Sequence, residues 1–557
     1  MIGLKKAPQK ALNLRGARIS FFASQGKTMS TKKIAIYDTT LRDGAQAEGV
    51  SFSAVAKVQV AKRLDEFGVG YIEGGFAASN PKDMEFFRLI KKENIKNAKV
   101  AAFGSTRRAN TPPEEDKGLA ALLEADTPVC TIFGKSWLLH VIEVLQTTPD
   151  ENLAMIADSV RFLKQHGKEV IYDAEHFFDG YKDSPEYAMA ALKAAADAGA
   201  DCLVLCETNG GALPHEVAAI TADVVKAFNT PVGIHTHNDG ELGVANTLAA
   251  VQAGAVHVQG TINGIGERVG NCNLSSVIPN LMLKMGYACL TKAENLKQLR
   301  ALSLFVYDQA NIRSYAKQAF VGDSAFAHKA GMHVDGVRKV SRSFEHIVPE
   351  SVGNSRRILI SELSGASNVF LKAIEMGLDL DRKSPEVREV LKQLEQMEKD
   401  GYEYESADAS FQMLIKKVLK QHQSFFDLKS FSVTVDKQGE KPGCRSEANV
   451  KLSVGGQSVS ANGTGDGPVD ALNHALRDAL VKFYPVIADV ALIDYSVRIL
   501  DPEEATAAKT RVLIESSDGE KTWGTVGVSE NIIEASWEAL VDSVEYKLFL
   551  EEEKAKK

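Results

Sequence analysis

The chain has 557 residues, 44% hydrophobic and 25% charged, with a formal net charge of -8. That length exceeds what one hydrophobic core supports, so two or three domains are expected. The acidic balance gives no basic field for nucleic acid, and no apolar run approaches the roughly 20 residues a bilayer-spanning helix needs.

The first 33 residues carry eight Lys or Arg and no Asp or Glu. Around residues 11–24 they could form a basic, weakly amphipathic helix, as in an organelle transit peptide. The competing expectation is a dispensable extension before Met29, and a cytoplasmic protein. From Ile34 short runs rich in Val, Ile and small residues alternate with helical patterns. Strands are expected at 34–38, 71–76, 100–104, 129–133, 169–174, 202–207, 232–235 and 255–261. Amphipathic helices such as 53–67, 153–166, 187–198 and 242–253 lie between them, and several run into glycine at Gly68, Gly167, Gly199 and Gly254. Eight β units, each followed by a helix, match a (β/α)8 TIM barrel over 34–300. A doubly wound sheet is the alternative, but no GxGxxG turn follows the first strand.

Helical patterns continue to about Gln318, and a His- and Gly-rich stretch follows from Phe326 to about Gly365. A charged helical region with apolar Val390, Leu391, Leu394 and Met397 completes a helical linker over 301–424. Beyond it the order strand, strand, strand, helix occurs twice: strands at 430–436, 447–454 and 458–461 with a helix at 468–483, then strands at 492–500, 510–516 and 521–528 with a helix at 531–548. This (βββα)2 arrangement reads as an internal duplication forming a separate α+β domain over 425–550, with a charged tail at 551–557. It holds no cluster of histidines or paired carboxylates, so it is expected to bind or regulate. The six cysteines, Cys130, Cys202, Cys206, Cys272, Cys289 and Cys444, show no CxxC pairing and read as buried, reduced thiols, with Cys202 and Cys206 filling core.

Barrel chemistry sits at the carboxyl ends of the strands. Those ends carry Asp38, Arg42 and Asp43 after the first strand, Glu73 after the second, Glu175 and His176 after the fifth, and Thr208 and Asn209 after the sixth. His235 and His237 follow the seventh, and Asn263 and Asn271 the eighth. His235 and His237 are two apart, so their imidazoles share a face. Two imidazoles with Asp43 as carboxylate and Asn271 as a neutral oxygen suit a divalent ion, Zn, Mn or Mg, able to polarise a carbonyl. Satisfied polar residues are the bland alternative for the histidine pair. Arg42 could clamp a substrate carboxylate by a forked pair of hydrogen bonds, or pair internally with Glu73 or Asp38. Metal plus clamp describes an α-keto acid. Glu175 and His333 are candidates for proton transfer; otherwise Glu175 orients a bound imidazole and His333 is a surface histidine.

The segments Tyr-Asp-Thr-Thr-Leu-Arg-Asp-Gly-Ala-Gln (37–46), His-Thr-His-Asn-Asp (235–239) and Asn-Gly-Ile-Gly-Glu-Arg-Val-Gly-Asn (263–271) resemble the signatures of the 2-isopropylmalate, homocitrate and citramalate synthases. Residues 73–83 and 173–180 are similar to the citramalate branch. Leu363-Ser-Gly365, residues 465–470 and residues 532–536 extend the likeness over about 34–550. The resemblance implies condensation of acetyl-CoA with a 2-oxo acid and release of CoA; in the citramalate branch the acid is pyruvate and the product feeds isoleucine synthesis. A larger 2-oxo acid is the alternative within the family. It also implies Asp43, His235, His237 and Asn271 as metal ligands, Arg42 and Thr208 on the keto acid, Gln46 by the substrates, and Glu175 as the active-site carboxylate. His333 would come from the partner subunit of a homodimer, and the tail would be the family's LeuA-type allosteric domain, binding the end-product amino acid, isoleucine. Where most relatives carry a tyrosine eleven residues past that histidine, this chain has Phe344, which cannot donate a hydrogen bond. A retro-aldol lyase and an amino-acid sensor on an inactive barrel are the readings from other classes; a lyase does not need the tail, and a sensor does not need the metal constellation.

Overall fold

A computed structural model describes residues 32–359, 385–404, 406–422, 424–437, 443–500 and 508–556. The basic extension through residue 31 and the Leu363-Ser-Gly365 stretch lie outside the described residues. The rest forms two compact units, one of residues up to Ala325 with Glu350–Asn354, the other of Phe326–Pro349 with Ser355–Lys557.

The first unit is a closed barrel of eight parallel strands: β1 (Ala35–Asp38), β2 (Tyr71–Phe76), β3 (Lys99–Ser105), β4 (Val129–Lys135), β5 (Glu169–Glu175), β6 (Cys202–Glu207), β7 (Val232–Thr236) and β8 (His257–Gly260). β8 closes on β1, with Ala35 opposite His257 and Asp38 opposite Gly260. Alternation along each strand sends one set of side chains inward. Tyr37, Ala101, Val129, Ile171, Cys202, Val204 and Cys206 form the buried apolar plug inside the barrel, and chemistry above it is confined to the carboxyl ends.

The outer ring begins with α1 (Ala54–Phe67), α2 (Pro81–Ile90), α3 (Lys117–Ala125) and α4 (Pro149–Gln165). It continues with α5 (Phe177–Asp183), α6 (Pro185–Asp197), α7 (Pro214–Ala227) and α8 (Gly243–Ala253). Gly68 and Gly254 close α1 and α8 in the left-handed region, at φ 95° and 118°, where a Cβ would be strained. Past β8, helix Leu299–Gln309 completes the unit. Ser303 there holds Asn263, and Asn295 just before it donates to the carbonyls of Glu66 and Phe67 at the end of α1.

In the second unit, Ala327–His328 pairs with Arg357–Ile358 around helix Gly331–Lys339. Helix Pro385–Lys399 buries Val387, Val390 and Leu394 against Phe411 and Ile415 of helix Asp408–Val418. Two βββα units follow. Strands Asp427–Asp436, Arg445–Val454 and Gln457–Gly465 form an antiparallel sheet, followed by helix Pro468–Leu480. Strands Ala491–Ile499, Thr510–Ser517 and Thr522–Ser529 form a second, followed by helix Ile532–Lys556. Both units share a core that includes Val450, Leu452, Leu476, Val512, Ile514 and Leu540.

Five cysteines are buried as expected; Cys444 is exposed, because it stands just before strand Arg445–Val454 rather than in a core. Among the described residues, no helix is long and apolar enough to cross a membrane.

Candidate metal centre and substrate pocket

His235 points inward from β7 and His237 lies just past its end, with the two Nε2 atoms 3.3 Å apart. Asp43, in the turn after β1, places Oδ2 3.4 Å from His235 Nε2. Asp43, His235 and His237 are all buried, and one ligand atom from each lies within 4.8 Å of the others. A bridge between His237 and Asn271 brings the loop after β8 to the same place. Gly266 leaves room for Asn271: a Cβ there would come 2.1 Å from its Nδ2. Asn271 is 1% exposed, yet among the described residues neither of its side-chain polar atoms has a hydrogen-bond partner, and neither does His237 Nδ1. Buried polar atoms are normally satisfied, so an orphaned amide beside two imidazoles and a carboxylate is what a cation-binding set looks like. The residues present therefore fit a divalent ion.

The electrostatics agree. Burial works against ionising Asp43, but Arg42 and then His235 outweigh it and hold its carboxyl below the usual range. Burial also works against charging His235, but Asp43 outweighs it and raises its pKa. His237 is pushed down to about 4 by burial and by the neighbouring His235, which leaves it neutral with a lone pair to give.

Arg42 stands beside this set with its guanidinium carbon 3.8 Å from the centroid of Phe103. Its Nε donates to Glu73 Oε2 at 2.6 Å and its Nη1 lies 3.3 Å from Asp43 Oδ2. The internal pairing with Glu73 therefore exists, and the partner is Glu73 rather than Asp38. Among the described residues Nη2 has no hydrogen-bond partner, so that end of the fork is the one a substrate carboxylate could take. Glu73 is within β2, not after it, and its other oxygen accepts from Tyr37 at 2.8 Å.

A cavity of about 230 Å³ joins these groups, lined by Arg42, Asp43, Gln46, Glu175, Thr208, His235 and His237 together with Asp173 and the rings of Phe76, Phe103 and Phe133. Glu175 ends β5 and is ion-paired with Lys135 at the end of β4. Thr208 Oγ1 accepts from the backbone of His176, which adopts a left-handed φ of 56°.

Other polar residues expected at the mouth are turned elsewhere. Asn263 bonds Ser303, Ser275 and Gln318 outside the barrel, because the turn after β8 puts it at φ 67°. Asp38 points away from the interior to Thr40, since strand alternation gives the inward position to Tyr37. His176 and Asn209 both engage Asp179. His333 lies in the second unit, exposed, its ring stacked on Phe344 with centroids 4.4 Å apart. Asp173, Gln259, Lys135 and the three phenylalanines were not anticipated; alternation from Glu175 back along β5 is the signal that would have put Asp173 on the inward face.

Three family models match the chain: HMGL-like over residues 33–306, homocitrate synthase post-HMGL domain-like over 320–401, and LeuA allosteric (dimerisation) domain over 405–548. The (R)-citramalate synthase of Geobacter sulfurreducens is 52% identical over 520 residues, covering 93% of this chain and 98% of that one. That of Aquifex aeolicus is 53% identical over 523 residues, covering 94% and 99%. Among solved structures, the HMG-CoA lyase of Bacillus subtilis aligns with a TM-score of 0.44 at 19% identity, over 50% of this chain and 95% of that one.

Proposed function

The chain belongs to the family of (R)-citramalate synthases, and we propose that it condenses acetyl-CoA with pyruvate and hydrolyses the thioester to give citramalate and CoA. The observation that carries this reading is one pocket holding Asp43, His235 and His237 beside Arg42, walled by three phenyl rings. Phe103 and Phe133 stack at 5.5 Å, and Phe76 meets both edge-on. That wall offers an apolar surface to the methyl group next to the keto carbon.

Arg42 takes the carboxylate of pyruvate through the free end of its fork, and Thr208 and Gln46 border it. A divalent cation held by Asp43, His235, His237 and Asn271 would supply Lewis-acid polarisation of the ketone. Glu175 removes a proton from the methyl carbon of acetyl-CoA, and Lys135 holds that carboxylate at the mouth. The resulting carbon nucleophile bonds to C2 of pyruvate while the carbonyl pair moves onto oxygen. His333, contributed by the second subunit of a homodimer, gives that oxygen its proton. Water then cleaves the thioester, releasing CoA and freeing the second carboxylate. The product serves isoleucine synthesis in the cytoplasm, and residues 425–550 bind isoleucine as a feedback ligand; the match to an allosteric dimerisation domain supports both the regulation and the pairing.

The test is CoA release from acetyl-CoA with pyruvate, 2-oxobutanoate and 2-oxoisovalerate, with and without chelator. Pyruvate should be preferred by at least tenfold in kcat/KM over 2-oxoisovalerate, and chelation should abolish turnover until metal is restored. Preference for 2-oxoisovalerate, or turnover indifferent to chelation, would sink the reading.

A further inference from the structure

Inside the barrel runs a chain of contacts that the reaction above leaves unused. Gln259 on β8 sits opposite His235 of β7 in the strand register and is fully buried. Its side chain reaches across the interior. Oε1 lies 2.8 Å from His235 Nδ1, and Nε2 donates to Asp173 Oδ1 on β5 at 2.9 Å. Asp173 is 3% exposed.

An amide oxygen can only accept, so His235 Nδ1 carries the hydrogen, and in the neutral ring Nε2 is the bare nitrogen. Nε2 is the atom that faces Asp43 Oδ2 and His237 Nε2, at 3.4 and 3.3 Å. The sense of the amide is decided at its other end. Burial raises the Asp173 pKa to about 7, so at alkaline pH it is a carboxylate, which takes the NH2 group and leaves the oxygen for the imidazole. With the amide reversed, two oxygens would oppose each other at Asp173, and the NH2 group would meet Nδ1. His235 would then have to carry its hydrogen on Nε2, the nitrogen a metal needs bare.

We propose that Asp173 is a positioning residue, which through Gln259 fixes the tautomer of His235 and so presents Nε2 to the metal. This rests on the reading of Asp43, His235 and His237 as the metal-holding set, although its tautomer half needs no metal. Groups beyond the ligands commonly change metal affinity by roughly 10–100-fold when altered. Asp173 also faces Arg42 and Glu73, so a plain charge effect has to be separated from the relay.

The experiment uses the full chain, with circular dichroism to check that each variant is folded. Asp173→Asn changes one atom and admits both amide senses. Gln259→Met removes the acceptor at Nδ1 while keeping bulk. In metal-free protein at alkaline pH, ¹⁵N NMR of His235 should show the Nδ1–H tautomer alone in the wild type. Asp173→Asn and Gln259→Met should each show Nε2–H signal as well. Zn(II) titrated alone should bind about 10–100-fold more weakly to each variant, and the double variant should bind no more weakly than Gln259→Met. Wild-type tautomer in both variants overturns the proposal. So does an undiminished effect of Asp173→Asn in the Gln259→Met background, which marks a simple charge effect. Should Zn(II) bind His235→Gln as tightly as wild type, the metal-site reading fails instead, while the NMR arm still decides the tautomer.

Discussion

Asp38 has no solvent exposure, and its carboxylate accepts from the backbone and hydroxyl of Thr40, both at 3.0 Å. The Thr40 hydroxyl in turn accepts from Ile262 N at 2.9 Å, which ties the end of β1 to the turn after β8. Burial pushes the Asp38 pKa up to about 7 from 3.8, and the two Thr40 bonds only partly oppose it. A carboxyl raised on folding contributes stability that is fully present below its unfolded pKa and is lost as pH rises through the folded one. Between about pH 4 and pH 7 the unfolded chain gives up this proton and the folded one keeps it. Across that window stability falls with rising pH, by a few kcal/mol in all at roughly 1.4 kcal/mol for each pH unit. Asp38→Asn keeps an acceptor for Thr40 N and cannot titrate. Urea midpoints at several pH values should therefore fall less steeply for this variant than for the wild type. Parallel curves for the two proteins would show that Asp38 is ionised throughout.

At the scale of elements, β2 pairs regularly with β3 except for a shift between Glu73 and Gly75. The irregularity is held from both flanking helices. Lys57 of α1 donates to the carbonyl of Gly74 and is ion-paired with Asp83 of α2, whose Oδ2 accepts from Phe76 N at 2.9 Å. It also aims Glu73 at Arg42 and Phe76 at the pocket. Gly74 has no room for a side chain, since a Cβ would come 2.1 Å from Phe86 Cε1. Gly74→Ala should cost about 1–3 kcal/mol by overpacking and also raise KM for pyruvate, because Glu73 moves with it. Thr148→Ala, which removes the cap on Glu151 N at the start of α4, should cost about 0.5–2 kcal/mol and leave KM unchanged. Urea denaturation and a pyruvate titration of both variants check the contrast. The eight strands were legible because short runs rich in Val, Ile and small residues, set between helical patterns that in several cases end in glycine, are local signals. The same signals placed Asp43, His235 and His237 at one mouth. The irregularity at Gly74 was not legible, since it depends on Phe86 and Lys57 arriving from other elements. Gln259 and Asp173 escaped for the same reason: only closure of the barrel makes β8 and β5 neighbours across the interior.

At the scale of the whole molecule, the two units have separate cores, and their expected ligands belong to different ones. A ligand stabilises the state it binds by RT ln(1 + [L]/Kd), about 2.7 kcal/mol at a hundredfold excess over Kd. Metal bound by Asp43, His235 and His237 should thus stabilise the barrel, and isoleucine bound within 425–550 should stabilise the second unit. Chains with separate cores need not unfold in one step. The tryptophans make the transitions separable. Trp137 belongs to the barrel unit, whereas Trp523 and Trp537 lie in the second, with Trp523 2% exposed. In a Trp137→Phe variant fluorescence follows the second unit only, while calorimetry follows both. Chelation should lower the calorimetric transition that fluorescence does not see. Isoleucine should raise the one it does see and leave the other in place. Were chelator and isoleucine to move a single common transition, the units would be unfolding as one, and regulation would have to pass through that shared stability rather than between independently folded parts.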